Sequence, residues 1–216
     1  MTLYLNDTYL LECASIITSY GRDEKGPYLL LRETIFYPQG GGQPADNGVI
    51  KTINDEIPVI FVRQSDKEIR HYIAAELELH KLTDTEINCV VDAQRRILNA
   101  RYHTAAHLLG NVVEHLYRDL KAVKGHSFPG EAYVEFTGDT VPDADSLVKE
   151  LSSAIEARLA TTTFEMTPTC RAMRIGDFPP VPCGGTHLRN TAEIGDFNIR
   201  KISRKGDRLK ISYELI

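Results

Sequence analysis

The sequence predicts a chain of the α+β class, with an N-terminal β domain over residues 1–91 and an α+β domain over residues 92–216. Three observations carry this. Up to Val91, short apolar runs alternate with glycine- and proline-marked turns, the pattern of many short strands. From Asp92 the period changes to that of a long amphipathic helix, and helical and strand patterns mix beyond it. No internal repeat or low-complexity linker interrupts the chain.

In the first domain the strand candidates are Cys13–Thr18, Tyr28–Arg32, Pro58–Arg63 and Glu86–Val91, separated by Gly21, Gly26-Pro27, Gly40–Gly42, Gly48 and Asn54-Asp55. Residues 74–82 fit a strand or a short helical turn. Strands this short and this evenly punctuated suit a small barrel or a sandwich. Asp92 is the natural N-cap of a helix running to about Ala122, with Ile97, Leu98, Ala105, Leu108, Leu109, Val112, Val113, Leu116 and Leu120 facing a core. Lys121 and Lys124 suit the negative end of that helix dipole. A turn over Gly125–Gly130, containing His126, precedes a strand over Ala132–Phe136. A second helix over Pro142–Ala160 turns Leu147, Leu151, Ile155 and Leu159 inward. Thr161–Arg174 reads as β, and Phe197–Ser203 with Leu209–Leu215 reads as a hairpin around Lys205-Gly206-Asp207.

Composition narrows the function classes. The chain has 216 residues, 42% of them hydrophobic, and no apolar run of membrane-spanning length. Its N-terminal segment lacks a signal-peptide pattern, so a cytoplasmic location is expected. The four cysteines have no framework spacing, which reads as three buried thiols and one ligand candidate, with no disulfide. A net charge of −5 excludes non-specific coating of nucleic acid but leaves room for a local basic patch. Such a patch is offered by Arg200, Lys201, Arg204, Lys205, Arg208 and Lys210 in the last hairpin, as a solvated strand face or as phosphate contacts.

Two segments carry metal-ligand spacing. His103 and His107 stand one helical turn apart on one face, and Cys183-Gly-Gly-Thr-His187 follows a backbone stiffened by Pro179, Pro180 and Pro182. One thiolate with three imidazoles suits Zn²⁺ better than the harder cations, which prefer oxygen. Positions 104 and 105 are threonine and alanine, so the HExxH base of zinc peptidases is absent, and no Ser-His-Asp or Cys-His arrangement marks a covalent nucleophile. A third segment, Thr34 to Gly48, carries three consecutive glycines and the neutral polar side chains of Thr34, Gln39 and Gln43. It reads as a long hairpin turn or as a loop approaching a small polar ligand. No Gly-Lys-Ser/Thr follows, so it is no P-loop and ATP is not expected.

Taken together, His103-Thr-Ala-Ala-His107 with Cys183-Gly-Gly-Thr-His187 resembles the paired zinc motifs of the editing domain of alanyl-tRNA synthetase. The run Phe36-Tyr-Pro-Gln-Gly-Gly-Gly-Gln-Pro-Ala-Asp-Asn-Gly48 resembles the glycine-rich motif preceding that domain. A free-standing chain with all three motifs is similar to the AlaX family, in its medium-length class. The resemblance implies an N-terminal β-barrel followed by an α+β zinc-containing editing domain. It implies hydrolysis, in trans, of tRNA(Ala) mischarged with serine, with glycine as a further substrate left open. An alanine pocket cannot strongly reject a smaller residue or an added hydroxyl, which is why a second site is needed. The resemblance also implies zinc on His103, His107, Cys183 and His187. It puts a hydroxyl residue near the substrate, making Thr34 with Gln43 the candidates that read serine, while Gly40, Gly41, Gly42, Arg200, Arg204 and Lys205 are the substrate-contact candidates. Four protein ligands would fill a tetrahedral site, so zinc as water activator, substrate holder or scaffold all stay open. The alternative function is a non-catalytic tRNA-binding module with a structural zinc. The oligomeric state is also open.

Overall fold

The computed structural model describes residues 1–74 and 78–216. The backbone divides into two compact units, Met1–Gly40 with Pro44–Ile97, and Gly41–Gln43 with Leu98–Ile216. The division thus falls a few residues beyond the sequence boundary at 91/92 and assigns three residues of the glycine-rich loop to the second unit.

The first unit contains β1 (Glu12–Asp23), β2 (Gly26–Leu31), β3 (Gly48–Lys51), β4 (Glu56–Ser65), β5 (Glu68–Ile73) and β6 (Glu86–Val91). These strands close into an antiparallel barrel in the order β1-β2-β5-β4-β3-β6, which leaves no unpaired sheet edge. Alternation fills the interior: Ile87, Cys89 and Val91 of β6 are buried, as are Ile17 of β1, Leu29 of β2 and Ile50 of β3. In β4 the inward set is Ile57, Val59 and Val62, and the break in alternation coincides with a register shift between Val59 and Phe61 that turns Ile60 to solvent. Strands β3 and β5 went unread in the sequence, the first because it is four residues long, the second because Glu68, Arg70 and His71 mask its apolar face. The segment 74–82 lies partly outside the described residues, and Leu79–Lys81 within it is a 3₁₀ turn. Of the three cysteines expected to be buried, only Cys89 is fully so, while Cys13 and Cys170 are half-buried.

Two polar clasps sit inside this unit. His71 is 1% exposed, and its Nδ1 lies 3.1 Å from the Leu29 carbonyl, to which it donates. That bond fixes the tautomer, so Nε2 accepts the Thr34 hydroxyl at 2.8 Å, while Thr34 Oγ1 accepts the Phe36 N–H at 3.0 Å. The second clasp is a fully buried ion pair. Arg96 donates Nε to both Asp46 oxygens at 3.0 and 3.2 Å and NH1 to the Thr8 carbonyl at 3.0 Å, with further bonds to Asp46 and the Ile35 carbonyl. Asp46 also accepts the Tyr37 N–H at 2.6 Å. The glycine-rich segment is therefore anchored from within at both ends.

Asp92 caps helix α1 (Ala93–Leu116), accepting the Arg95 N–H at 3.0 Å. The helix ends at Leu116 instead of near Ala122. The apolar period misleads because Leu120, which is fully buried, reaches the core from a turn, and Lys121 and Lys124 belong to a strand. Ala105, Leu108, Leu109, Val112 and Val113 are buried as expected, but Leu98 and Leu116 are exposed. The second unit continues with β7 (Lys121–His126), β8 (Tyr133–Thr137), α2 (Ala144–Glu156), β9 (Thr161–Thr167), β10 (Cys170–Ile175), β11 (Val181–Pro182), β12 (Phe197–Lys205) and β13 (Arg208–Leu215). Asp143 caps α2 by accepting the Ser146 N–H at 2.9 Å. One sheet has the order β12-β13-β8-β7 and the other β11-β10-β9, all antiparallel. His126 ends β7 and is not in a turn.

Removing one partner of a buried pair strands the other charge, at a cost of about 3–5 kcal/mol. Asp46→Ala is thus expected to lower unfolding free energy by about that amount in denaturant titrations, and a loss below about 1 kcal/mol would refute the clasp. Burial pushes the His71 pKa down to about 4 from an ordinary 6.5. The unfolded chain takes up this proton as pH falls through 6.5 and the folded chain does not, so the stabilising contribution is complete above 6.5 and is lost progressively down to about 4. His71→Gln, which keeps a donor and an acceptor, is expected to flatten the stability-versus-pH curve across that window by up to about 1.4 kcal/mol per pH unit. An unchanged slope would contradict it.

Candidate metal centre

Helix α1 turns His103 and His107 to one side, and the segment after β11 brings Cys183 and His187 against them. Their ligand atoms all lie within 4.8 Å of one another. His103 Nε2 is 3.1 Å from His107 Nε2 and 3.2 Å from Cys183 Sγ, which is 3.2 Å from His187 Nε2. Ligands around a tetrahedral zinc-sized ion are separated by roughly 3.3–3.6 Å, and these three separations lie just below that range.

The electrostatics agree with a cation site. Burial drives the His107 pKa down to about 4 and holds His103 and His187 far below the ordinary imidazole value. Neutral rings offer lone pairs, as metal ligation requires. Burial raises the Cys183 thiol pKa, opposed by the Gly185 N–H, 3.4 Å from Sγ, and by the charge of Arg171. Three buried imidazole nitrogens and one thiol gathered this closely form a nitrogen–sulfur donor set of the kind that holds a zinc-like ion, so the residues fit one.

Three clamps shape the Cys183–His187 loop. Arg171 of β10 donates to the Cys183 and Gly185 carbonyls at 3.1 and 2.9 Å. Thr104, between the two histidines of α1, accepts the Leu188 N–H at 3.1 Å. Gln43, fully buried, accepts the Thr186 N–H at 3.1 Å and donates to Thr186 Oγ1 at 2.9 Å. Gly185 has no room for a side chain, since a Cβ there would stand 2.5 Å from His103 Cε1 and 2.9 Å from Gln43 Oε1.

A cavity of about 620 Å³ opens beside the ligands. Its walls come from α1, from β7 and from the proline-rich approach Phe178–Gly184, with Ala106 and Gly110 leaving space on the helix. Asn111 lines it, one turn beyond His107, and its buried amide nitrogen has no hydrogen-bond partner among the described residues. The sequence reading missed Arg171, Thr104 and Asn111. Only Asn111 had a readable signal, the continuation of the 103–107 stripe.

The expected site residues fall to both units. His103, His107, Cys183 and His187 converge. Gly41 lines the cavity. Gly42 packs on β7: its carbonyl accepts the Ser127 N–H at 2.7 Å, its φ is +78°, and a Cβ would lie 2.3 Å from the Gly125 oxygen. Gly40 belongs to the first unit, where its carbonyl accepts the Tyr37 hydroxyl. Thr34 also belongs there, with its proton committed to His71. Arg204 is spent on the Gly138, Asp139 and Thr140 carbonyls at 2.7–3.1 Å, and Arg200 on the Gly130 carbonyl, while Lys205 is exposed.

Residues 170–210 match the family described as the threonyl and alanyl tRNA synthetase second additional domain, and residues 12–95 match the class II (A) tRNA synthetases. The chain is 30% identical over 233 residues to the alanyl-tRNA editing protein AlaX-M of Methanosarcina mazei, covering 94% of this chain and 91% of that protein. It is 29% identical over 226 residues to AlaX-L of Pyrococcus horikoshii, covering 96% of this chain but 55% of that protein. The alanine–tRNA ligase of Thermoplasma acidophilum is 30% identical over 225 residues, 93% of this chain and 25% of the ligase.

Each ligand is expected to carry about a quarter of a metal-binding free energy of roughly 10–16 kcal/mol, so Cys183→Ala and His107→Ala should each weaken metal affinity by about a hundredfold or more. Elemental analysis after dialysis against a mild chelator checks this. Full occupancy in both variants would contradict the assignment.

Proposed function

The chain belongs to the AlaX family of alanyl-tRNA editing proteins, and on that basis we propose that it deacylates tRNA(Ala) mischarged with serine, using zinc held by His103, His107, Cys183 and His187. The observation that carries this reading is a buried thiol–imidazole cluster at the wall of a cavity large enough for the aminoacylated end of a nucleic acid. Glycine remains a candidate second amino acid. The place of work is the cytoplasm, where tRNA is charged, and among the described residues no helix is long and apolar enough to cross a membrane.

The bond to be cleaved is an ester, so the site has to place a water, receive its proton and stabilise an oxyanion. A zinc ion bound here would supply Lewis acidity toward the ester carbonyl or the water, once one coordination position opens. The chain's own groups do the rest. Burial keeps the three imidazoles neutral, which leaves their Nε2 lone pairs to the metal, and the proton released by the water passes to solvent or to the departing ribose oxygen. Arg171, Thr104 and Gln43 hold the Cys183–His187 loop in register with α1, which makes them positioning residues. Asn111 lines the cavity, and in this proposal its buried, unpartnered amide turns toward an oxygen of the bound substrate. In this proposal Asn111 joins Thr34 and Gln43 as a reader of the serine hydroxyl, Thr34 being hydrogen-bonded to His71 and Gln43 to Thr186.

Alanine lacks the hydroxyl, and an unmade buried hydrogen bond costs about 1–3 kcal/mol, so serine is expected to be removed roughly ten- to a hundredfold faster than alanine. A deacylation panel of Ser-, Gly- and Ala-tRNA(Ala), with and without chelator, tests the activity. Asn111→Ala should reduce the serine rate about tenfold at unchanged metal content. Equal rates on serine and alanine, or no release above the uncatalysed rate, would defeat the proposal.

A further inference from the structure

The four-stranded sheet of the second unit has one buried and one solvated face, and its register sorts the basic residues between them. Directly paired residues on antiparallel strands share a face. Ile202 pairs with Ile211 and Arg204 with Leu209, while Ile211 pairs with Val134 and Leu209 with Phe136. That is the buried face, with Arg204 at its margin holding three carbonyls. On the opposite face Lys201 pairs with Ser212, Ser203 with Lys210 and Lys205 with Arg208. The same face continues across β8 and β7, where Lys210 pairs with Glu135 and Glu135 with Lys124, and Ser212 pairs with Tyr133 and Tyr133 with His126.

Aromatic rings run through the middle of this basic field. Lys210 Nζ lies 3.6 Å and Lys124 Nζ 5.7 Å from the centroid of the Tyr133 ring. His126 stacks between Tyr133 at 5.1 Å and Phe128 at 4.3 Å. The ring fixes two ammonium groups without neutralising them, and the single carboxylate between them, Glu135, offsets one of the two charges, leaving the face net positive with Lys201, Lys205 and Arg208. All this occurs in a chain of net charge −5, where such a concentration of lysine on one face is not a consequence of composition.

We propose that this outer sheet face docks the RNA of the substrate, with phosphates against Lys124, Lys201, Lys205, Arg208 and Lys210 and a sugar or base resting on the His126–Phe128 stack. The inference rests on the tRNA deacylase reading and adds where the nucleic acid lies. Strand β7 links the two, because Lys121–Gly125 line the cavity while Lys124 and His126 belong to the outer face. An RNA strand tracking the sheet toward β7 thus arrives with its end at the cavity. Phosphates and stacked bases match both halves of the surface, lysine and aromatic ring. A second copy of this chain would set like charges against each other.

The test is binding of uncharged tRNA(Ala) by fluorescence anisotropy over a salt series. Wild type is compared with Lys201→Ala/Lys205→Ala, with Lys124→Ala/Lys210→Ala, and with Lys51→Ala/Lys67→Ala on the barrel as control. Each face pair is expected to lower the slope of log affinity against log salt by about 1.8 and to weaken binding by about tenfold or more near 0.1 M salt, whereas the control pair changes neither. Lys201 and Lys205 are exposed, so that pair stays informative even where loss of the Lys210 contact disturbs folding. Unchanged slope and affinity in the Lys201/Lys205 pair, or an equal loss in the control, would overturn the inference. Serine release by the wild type is measured in parallel. Release with face-independent binding removes only the docking surface, and face-dependent binding without release removes only the deacylase reading.

Discussion

Three neutral imidazoles and one thiol crowd within 4.8 Å of one another, His103 and His187 buried and His107 and Cys183 partly so. Each is an electron-pair donor, and crowding donors without a cation is costly in a low-dielectric interior. The structure around them is what such a demand requires. A straight helix supplies two donors at a spacing its geometry dictates, and a glycine pair lets the chain reverse to bring the other two onto them. Bonds from Arg171, Thr104 and Gln43 then remove the freedom the glycines introduce. Gly185 in particular is demanded by contact, since any side chain there would strike His103.

The glycine-rich segment divides its labour in a way its composition hides. Residues toward Thr34 and Asp46 serve the barrel through His71 and Arg96, and Gly42 and Gln43 serve the second unit through Ser127 and Thr186. Gln43 is the instructive case. A glutamine in a loop invites the thought of a substrate contact, yet its amide is satisfied on both sides by one threonine next to a ligand histidine. Through these two bonds it helps position the loop that carries His187.

What could be read in the sequence was whatever obeyed a short period or a short motif. The pairing of His103 with His107 follows from the helical repeat, and the α+β class follows from the change of period at Asp92. Helix α1 was overrun because Leu120 continues the repeat in sequence while leaving it in space. Strands β3 and β5 escaped notice because barrel closure, not their own patterns, recruits them. The basic hairpin was visible as charge, but its faces were not, since the bulge between Ile199 and Lys201 decides which side each residue takes. Partners distant in sequence, such as Arg171 to Gly185 and Arg96 to Asp46, left no local trace.

The most direct measurement of the metal centre is X-ray absorption at the zinc edge on protein purified with one equivalent of zinc. Coordination by Cys183, His103, His107 and His187 is expected to give one sulfur at about 2.3 Å and three nitrogens at about 2.0–2.1 Å. A shell of nitrogen and oxygen without sulfur, or failure to retain the metal at all, would contradict a centre built from these four side chains.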